Sequence, residues 1–183
     1  MRVISGSARG LRLTSPDGIN TRPTLDRVKE ALFNMLQTHI TDAVVLDLFS
    51  GSGALGIECL SRGAKKSVFV DVSPQAISCI KSNITSAKLT DKSLVIKNDF
   101  RDYIKDCREK FDLIFLDPPY SNDFYKTALD LIAEKHLLND DGFIIVEWDS
   151  KIGFQNKNSA FSIYKEKRYG RVSVTVLKWG LTE

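Results

Sequence analysis

The sequence lacks the features of membrane, secreted and zinc-binding proteins. No apolar run among its 183 residues approaches the roughly 18 residues of a membrane helix, and the first residues do not lead into the apolar segment of a signal peptide. The cysteines Cys59, Cys79 and Cys107 are odd in number and widely spaced, which argues against a disulfide framework and a Cys-x-x-Cys zinc site. We therefore expect a cytoplasmic protein that binds no metal.

The excess of basic residues is small, but it is unevenly distributed. The net charge is +3, from 26 Lys and Arg against 23 Asp and Glu. Residues 1–30 and 161–183 each carry a net charge of +3, whereas residues 31–160 carry −3. The two basic ends are either ordinary solvated surface or a surface that faces a polyanion.

The pattern of apolar residues separates a short N-terminal extension from a main domain. Residues 1–40 are expected to form a hairpin over residues 2–13 and a helix that Thr24 caps and that runs to about His39. Over residues 41–183, apolar strands alternate with amphipathic helices. This alternation predicts an α/β domain whose mostly parallel, seven-stranded sheet is covered by helices on both faces.

The individual elements follow from apolar runs and capping residues. Strands are predicted at residues 43–49, 67–70, 94–96, 111–116, 143–148, 161–167 and 171–179. Helices are predicted at residues 53–62, after Ser73-Pro74, at 100–107 and at 123–136. Asp141-Gly142 is expected to be a turn before the fifth strand, and Tyr169-Gly170 the turn of an antiparallel C-terminal hairpin.

Acidic residues lie near or just after the carboxyl ends of the first four predicted strands. In parallel sheets ligands bind at the carboxyl ends of the strands, so this edge is where chemistry is expected. The residues concerned are Asp47, Asp71, Asp99 and Asp117.

A glycine-rich segment opens the first predicted helix of the main domain. Residues 51–56 match G-x-G-x-x-G, and Asp71 lies 20 residues after Gly51, which is the spacing of a dinucleotide-binding motif. Asp47, however, would repel a pyrophosphate and would suit a cationic ligand such as S-adenosylmethionine (SAM). Glycines, which lack a Cβ, would then allow the backbone to approach the methionine part of SAM. A tight turn without a ligand is the third interpretation.

The acids after the second and third strands suit the remaining parts of SAM. Asp71 can accept both ribose hydroxyls. Asp99 can accept from the adenine amino group, and Phe100 can pack on the ring. Helix capping is the alternative role for both acids.

The tetrapeptide Asp117-Pro118-Pro119-Tyr120 is the most informative segment. Two prolines give a stiff turn without N–H groups, so the Asp117 carboxylate and the Pro118 carbonyl can form a pair of acceptors for an NH₂ group. Such a pair orients a delocalised exocyclic amine and stabilises the positive charge that grows on it during methyl transfer. Tyr120 offers a face on which a base can stack. A rigid loop with a capping Asp is the alternative.

Together these motifs resemble class I SAM-dependent methyltransferases that act on amino nitrogens. The N-terminal segments at residues 2–6 and 21–34 are similar to those of the RsmD family, bacterial enzymes that methylate N2 of a guanine in small-subunit (16S) ribosomal RNA. The resemblance covers nearly the whole chain and is weakest over residues 150–183. It implies a Rossmann-like methyltransferase fold, SAM as cofactor, and ribosomal RNA or the small ribosomal subunit as partner of a cytoplasmic monomer.

The resemblance also implies which residues form the site. The catalytic group would be Asp117, Pro118, Pro119 and Tyr120. The cofactor would be held by Asp47, Phe49, Gly51, Gly53, Asp71, Asp99 and Phe100. RNA would be held by Arg2, Arg9, Arg12, Arg22, Thr24 and Arg27, with the target guanine unstacked into the pocket.

Other functions compete with this interpretation. A DNA amino-methyltransferase acting on adenine N6 or cytosine N4 shares the tetrapeptide, but 183 residues show no separate target-recognition domain. A protein-glutamine methyltransferase usually has Asn at the position of Asp117. An NAD(P)-binding module is supported by the glycine motif alone.

Overall fold

The chain folds around one seven-stranded sheet. The structure is a computed structural model that describes residues 1–16, 23–118 and 122–180, and the side chains of residues 23–27, 122 and 123 lie outside this description. The strands are β1 (Val44–Asp47), β2 (Lys66–Asp71), β3 (Ser93–Lys97), β4 (Phe111–Leu116), β5 (Leu138–Asp149), β6 (Phe161–Tyr169) and β7 (Val172–Trp179). The helices are α1 (Pro23–Met35), α2 (Ala54–Ser61), α3 (Pro74–Ala87), α4 (Phe100–Asp106) and α5 (Asn122–Lys135).

The strand order explains where ligands can bind. The order is β3-β2-β1-β4-β5-β7-β6, with β1 to β5 parallel and β7 antiparallel to both of its neighbours. The chain moves outward from β1 in one direction to β3 and then returns to β4 on the other side, which opens a crevice at the carboxyl ends of β1 and β4. The predicted fold class, including the antiparallel C-terminal hairpin, is therefore confirmed.

Two apolar layers cover the sheet because strand side chains alternate between its faces. On one face, Val45, Leu113, Phe115 and Ile145 pack with side chains of α1, α2 and α3. On the other face, the intervening strand residues pack with α4 and α5. Each face is thus a continuous core, which is what apolar strands without polar alternation predict.

The N-terminal segment shares the first of these cores. Val3 and Leu13 are buried in the same cluster as Val28 and Leu32 of α1. The hairpin over residues 2–13 is held by one antiparallel bridge between Arg2 and Arg12.

The N-terminal helix and the fifth strand differ most clearly from their predictions. Helix α1 begins at Pro23, so Thr24 lies inside its first turn rather than before it, and a 3-10 turn at Gln37–His39 follows instead of a continuous helix. Asp141 and Gly142 lie within β5, which begins at Leu138, so the predicted turn there was wrong. A register shift in the pairing of β4 with β5 accommodates this early part of the strand.

The length and apolar character of the helices show whether any of them could span a membrane. None of those in the described residues is long and apolar enough to cross a lipid bilayer.

Candidate active site

A cavity of about 610 Å³ opens at the carboxyl edge of the sheet. The loops after β1, β2, β3 and β4 line it, together with the end of β5. Eight residues predicted from the sequence contribute to its wall: Asp47, Phe49, Gly51, Asp71, Asp99, Phe100, Asp117 and Pro118. The fold thus brings together residues that span 72 positions of the chain, from 47 to 118.

The three glycines of the loop are required for different structural reasons. Gly51 and Gly53 have φ angles of 55° and 77°, in the left-handed region that favours glycine, and Gly53 is the residue before α2. No atom lies within 4 Å of the place where a Cβ of Gly51 would stand, so this position leaves open space. A Cβ on Gly56 would lie 2.4 Å from the Phe69 ring, so the third glycine allows α2 to pack against β2.

Asp71 fixes the loop as well as lining the cavity. One carboxylate oxygen accepts from the Gly51 N–H at 2.9 Å, and the other accepts from the Ser73 N–H at 2.8 Å. Each oxygen of a carboxylate has two lone pairs, so both retain capacity for a further donor. The capping role for this region belongs to Ser73, whose hydroxyl accepts from the Ala76 N–H.

Asp99 has a partner that the sequence analysis did not foresee. Its two oxygens accept from the Arg101 guanidinium at 2.8 and 2.7 Å, and one of them also accepts the Arg101 backbone N–H at the start of α4. Hydrogen bonding to Arg101 is the main reason that the pKa of Asp99 lies below its ordinary value. The predicted contact with adenine therefore has to share Asp99 with Arg101.

An aromatic wall lies beside these acids. The ring of Phe49 lies 5.0 Å from that of Phe100 and 6.3 Å from that of Phe124, measured between centroids. Phe100 is 6% exposed, and all three rings line the cavity. Such a wall suits a flat apolar group such as an adenine ring.

Asp47 is a buried carboxylate at the end of β1. It is 2% exposed, and within the described part of the chain the Gly56 N–H, at 3.1 Å, is the one donor to its carboxylate. Desolvation raises the pKa of Asp47 to about 7, and repulsion from Asp117 and Asp71 adds to the rise against the effect of the Gly56 bond. A cation in this part of the cavity would favour the ionised form.

Asp117 faces the same cavity from the end of β4, with Pro118 beside it. Its side chain is open to the cavity, yet desolvation by the surrounding walls raises the pKa of Asp117 to about 6. No donor is bonded to this carboxylate among the residues that the structure describes. Pro119 and Tyr120, the other members of the predicted catalytic group, lie outside those residues.

Glu147 is a wall residue that the sequence analysis missed. It lies near the end of β5 and faces the cavity with Asp117. Desolvation and the charge of Asp117 raise the pKa of Glu147 well above its ordinary value. The available signal was an acid directly after an apolar run, because Glu147 follows residues 143–146 as Asp117 follows residues 111–116.

The predicted RNA-binding residues fall into two groups. Arg2, Arg9 and Arg12 are exposed on the N-terminal hairpin. The tip of that hairpin bonds to Ser61 at the far end of α2, about 10 Å along the helix from the glycine loop. Arg22 and the side chains of Thr24 and Arg27 lie outside the described part of the chain.

A buried ionic group anchors this hairpin. Glu58 is 0% exposed, accepts from the Ile4 and Ser5 N–H groups, and pairs with Lys29 at 2.9 Å and with Arg62 at 2.7 Å. Burial alone would raise the pKa of Glu58, but Lys29 and the donors hold it below its ordinary value. Removing either cation would leave the buried Glu58 carboxylate with a single cationic partner among the described residues, which weakens the compensation of its charge.

The described residues contain no group of three or more His, Cys, Asp or Glu side chains that could hold a metal ion.

Taken together, the sheet order, the glycine loop and the row of acids at one edge define a Rossmann-like class I methyltransferase fold. A solved structure from Escherichia coli, titled "Putative methyltransferase yhhF", has the same fold with a TM-score of 0.89 and 28% sequence identity, and the match covers 100% of this chain and 99% of that one.

Sequence comparison assigns the chain to one family among the proteins that share this fold. A family described as "Conserved hypothetical protein 95" matches residues 1–178, and the chain belongs to this family, which confirms the resemblance to RsmD. "Putative rRNA methyltransferase YlbH" of Bacillus subtilis is 40% identical in sequence, and the match covers 97% of this chain and 98% of that protein. "Ribosomal RNA small subunit methyltransferase D" of Haemophilus influenzae is 35% identical in sequence, and the match covers 94% of this chain and 91% of that protein.

Proposed function

We propose that the protein transfers a methyl group from SAM to the exocyclic N2 of a guanine in small-subunit ribosomal RNA. The observation that carries this proposal is the Asp117 carboxylate at the end of β4, which faces the cavity with no donor bonded to it among the described residues. The names of the relatives add ribosomal RNA as the class of substrate.

The residues on the β1–β3 side of the cavity fit SAM. The open space at Gly51 allows a ligand to approach the backbone, and the spare lone pairs of Asp71 suit two ribose hydroxyls. Buried Asp47 suits a cation, whereas it would repel the pyrophosphate of NAD. When bound, SAM supplies a methyl group on a positively charged sulfur.

Asp117 and the Pro118 carbonyl would hold the amine on the β4 side. A carboxylate with a pKa of about 6 is ionised at neutral pH, so Asp117 can accept an N–H bond and favour the charge that develops on nitrogen. Asp117 would hold the amine so that its nitrogen lone pair can take the methyl group of SAM, whose sulfur would keep the electron pair of the broken bond, and Asp117 would then accept the proton that the nitrogen releases. Tyr120 retains its proposed role of stacking on the base.

The exposed arginines of the hairpin would contact RNA phosphates. We expect Arg9→Gln with Arg12→Gln to raise the RNA dissociation constant several-fold and to reduce the slope of log affinity against log salt by about 2. Filter binding at several salt concentrations measures both, and unchanged values would show that the hairpin does not bind RNA.

We also propose that the enzyme acts as a monomer in the cytoplasm.

Methyl transfer from tritiated SAM tests the proposal. Substrates are naked small-subunit RNA and small-subunit particles, both from cells that lack the enzyme, with DNA as a further acceptor. We expect label in the RNA or the particle, recovered after nuclease digestion as N2-methylguanosine. Label in DNA, in protein or in another nucleoside would overturn the proposal, and so would binding of NAD without binding of SAM in calorimetry.

A further inference from the structure

Glu147 and Asp117 are matched in position on neighbouring strands. In the parallel pairing of β4 with β5, Leu116 lies opposite Val146, so Asp117 and Glu147 are the next residues on each strand. Neighbouring strands lie about 4.8 Å apart. One planar ligand can therefore meet both carboxyl groups along a single edge.

The two side chains also share a face of the sheet. Phe115 and Ile145, two residues earlier on each strand, pack in the core with α1, α2 and α3. Side chains alternate along a strand, so Asp117 and Glu147 continue this face into the cavity that they both line. Asp47, two residues beyond Val45 on β1, lies on the same face opposite Phe115, two residues before Asp117 in the register of β4.

The backbone at Glu147 is held in place while its carboxyl group is left available. The buried Tyr125 hydroxyl of α5 donates to the Glu147 carbonyl at 2.7 Å. No donor is bonded to the Glu147 carboxyl group in the parts of the chain described. The arrangement is a positioned acceptor next to the proposed amine site.

The chemistry of guanine matches this second acceptor. If Asp117 holds the N2 amine, the neighbouring group on the same base edge is N1–H, a donor, followed by the O6 acceptor. Adenine presents an acceptor at N1 and an amine at position 6. An acid beside Asp117 would therefore favour guanine over adenine.

We propose that Glu147 accepts the N1–H of the target guanine and thereby determines the specificity for that base; this inference rests on the proposed function. Desolvation and the charge of Asp117 raise the pKa of Glu147, and in either protonation state its carboxyl group keeps an oxygen that can accept the N1–H.

The test compares guanine with 1-methylguanine at the target nucleotide, introduced by ligation into the RNA. The added methyl removes the N1 donor and adds bulk where Glu147 is placed, while the N2 amine remains. Glu147→Ala should lower kcat/KM for guanine about tenfold or more and raise the preference for 1-methylguanine relative to guanine by about tenfold or more. Glu147→Gln, which keeps an acceptor oxygen, should retain more activity on guanine than Glu147→Ala.

Glu134→Ala is the matched control, because Glu134 is exposed on α5. Its preference between the two bases should equal that of the wild type. An unchanged preference in Glu147→Ala would overturn the inference, as would a loss of SAM affinity larger than about threefold. Failure of the wild type to form N2-methylguanosine would instead overturn the proposed function itself.

Discussion

The acids of the cavity differ between its two sides. On the β2–β3 side, Asp71 and Asp99 accept bonds from the chain's own N–H groups or from Arg101. On the β4–β5 side, Asp117 and Glu147 have no donor bonded to their carboxyl groups within the described residues, and their pKa values are raised. Under the proposed function, the first pair would be fixed in advance on the cofactor side, whereas the second pair would receive its donors from the substrate.

Asp47 is intermediate between these two sides. It has one backbone donor, but it is buried near Asp71 and Asp117. A charge that lacks full compensation costs stability, and such groups cluster at functional sites. Under the proposed function, the chain's own donors would stabilise the acids of the cofactor side, and the RNA substrate would supply the donors of the other side.

The largest effect is expected for Asp117→Asn. The amide directs an N–H donor at an amine that needs acceptors, so the turnover rate at saturating SAM should fall by about 10²- to 10³-fold. The SAM dissociation constant should stay within a few fold, because Asp117 lies on the other side of the cavity. Methyl incorporation and calorimetry measure the two effects, and a comparable loss of SAM binding would show that Asp117 holds the cofactor.

A change in stability is expected for Asp47→Asn. The folded protein binds the Asp47 proton up to pH 7 or so, whereas an unfolded Asp releases it near 3.8, so this group lowers the stability of the wild type as the pH rises between those values. From pH 4 to pH 8, the unfolding free energy of the variant should rise relative to the wild type by on the order of 2–4 kcal/mol.

Urea unfolding at several pH values measures this difference. Asp91→Asn is the control, because Asp91 is an exposed residue of a 3-10 turn. A difference between Asp47→Asn and the wild type that does not change with pH would contradict the account of Asp47.

A smaller effect on binding is expected for Asp71→Asn. The amide oxygen cannot replace both carboxylate oxygens, so one loop N–H and one ribose hydroxyl lose an acceptor. The SAM dissociation constant should rise about 10- to 100-fold, as for loss of a hydrogen bond to a charged group. The rate at saturating SAM should change by only a few fold, and an equal dissociation constant for variant and wild type would exclude Asp71 from the cofactor site.

The sequence was sufficient to predict most of the architecture. Apolar runs identified the first five strands, alternation of Val with Ser and Thr indicated the last one, and the Ser73-Pro74 cap appears in the structure as expected. The turn predicted at Asp141-Gly142 was wrong because local turn preference competes with pairing: Leu138 lies opposite Phe111, which extends β5 backward through both residues.

The site was less fully predictable than the fold. Glu147 lies beside Asp117 because β4 and β5 are neighbours in the sheet, although 30 positions separate the two residues in the chain. No short sequence motif predicts the order of the strands. The Arg101 partner of Asp99 depends on a side-chain conformation at the start of α4. The distance of the hairpin tip from the cavity follows from its packing on Ser61, which the charge pattern does not reveal.

The contrast between fixed and available acids is tested most directly by carboxyl-carbon NMR titration of the ligand-free protein. Single Asp→Asn and Glu→Gln variants assign the signals. The account predicts that Asp117 titrates near pH 6 and Glu147 well above the usual range for Glu, while Asp99 titrates below the usual range for Asp. If Asp117 titrated as low as Asp99, it would already have a donor or a cation in the free protein, and the proposed division of the cavity would be wrong.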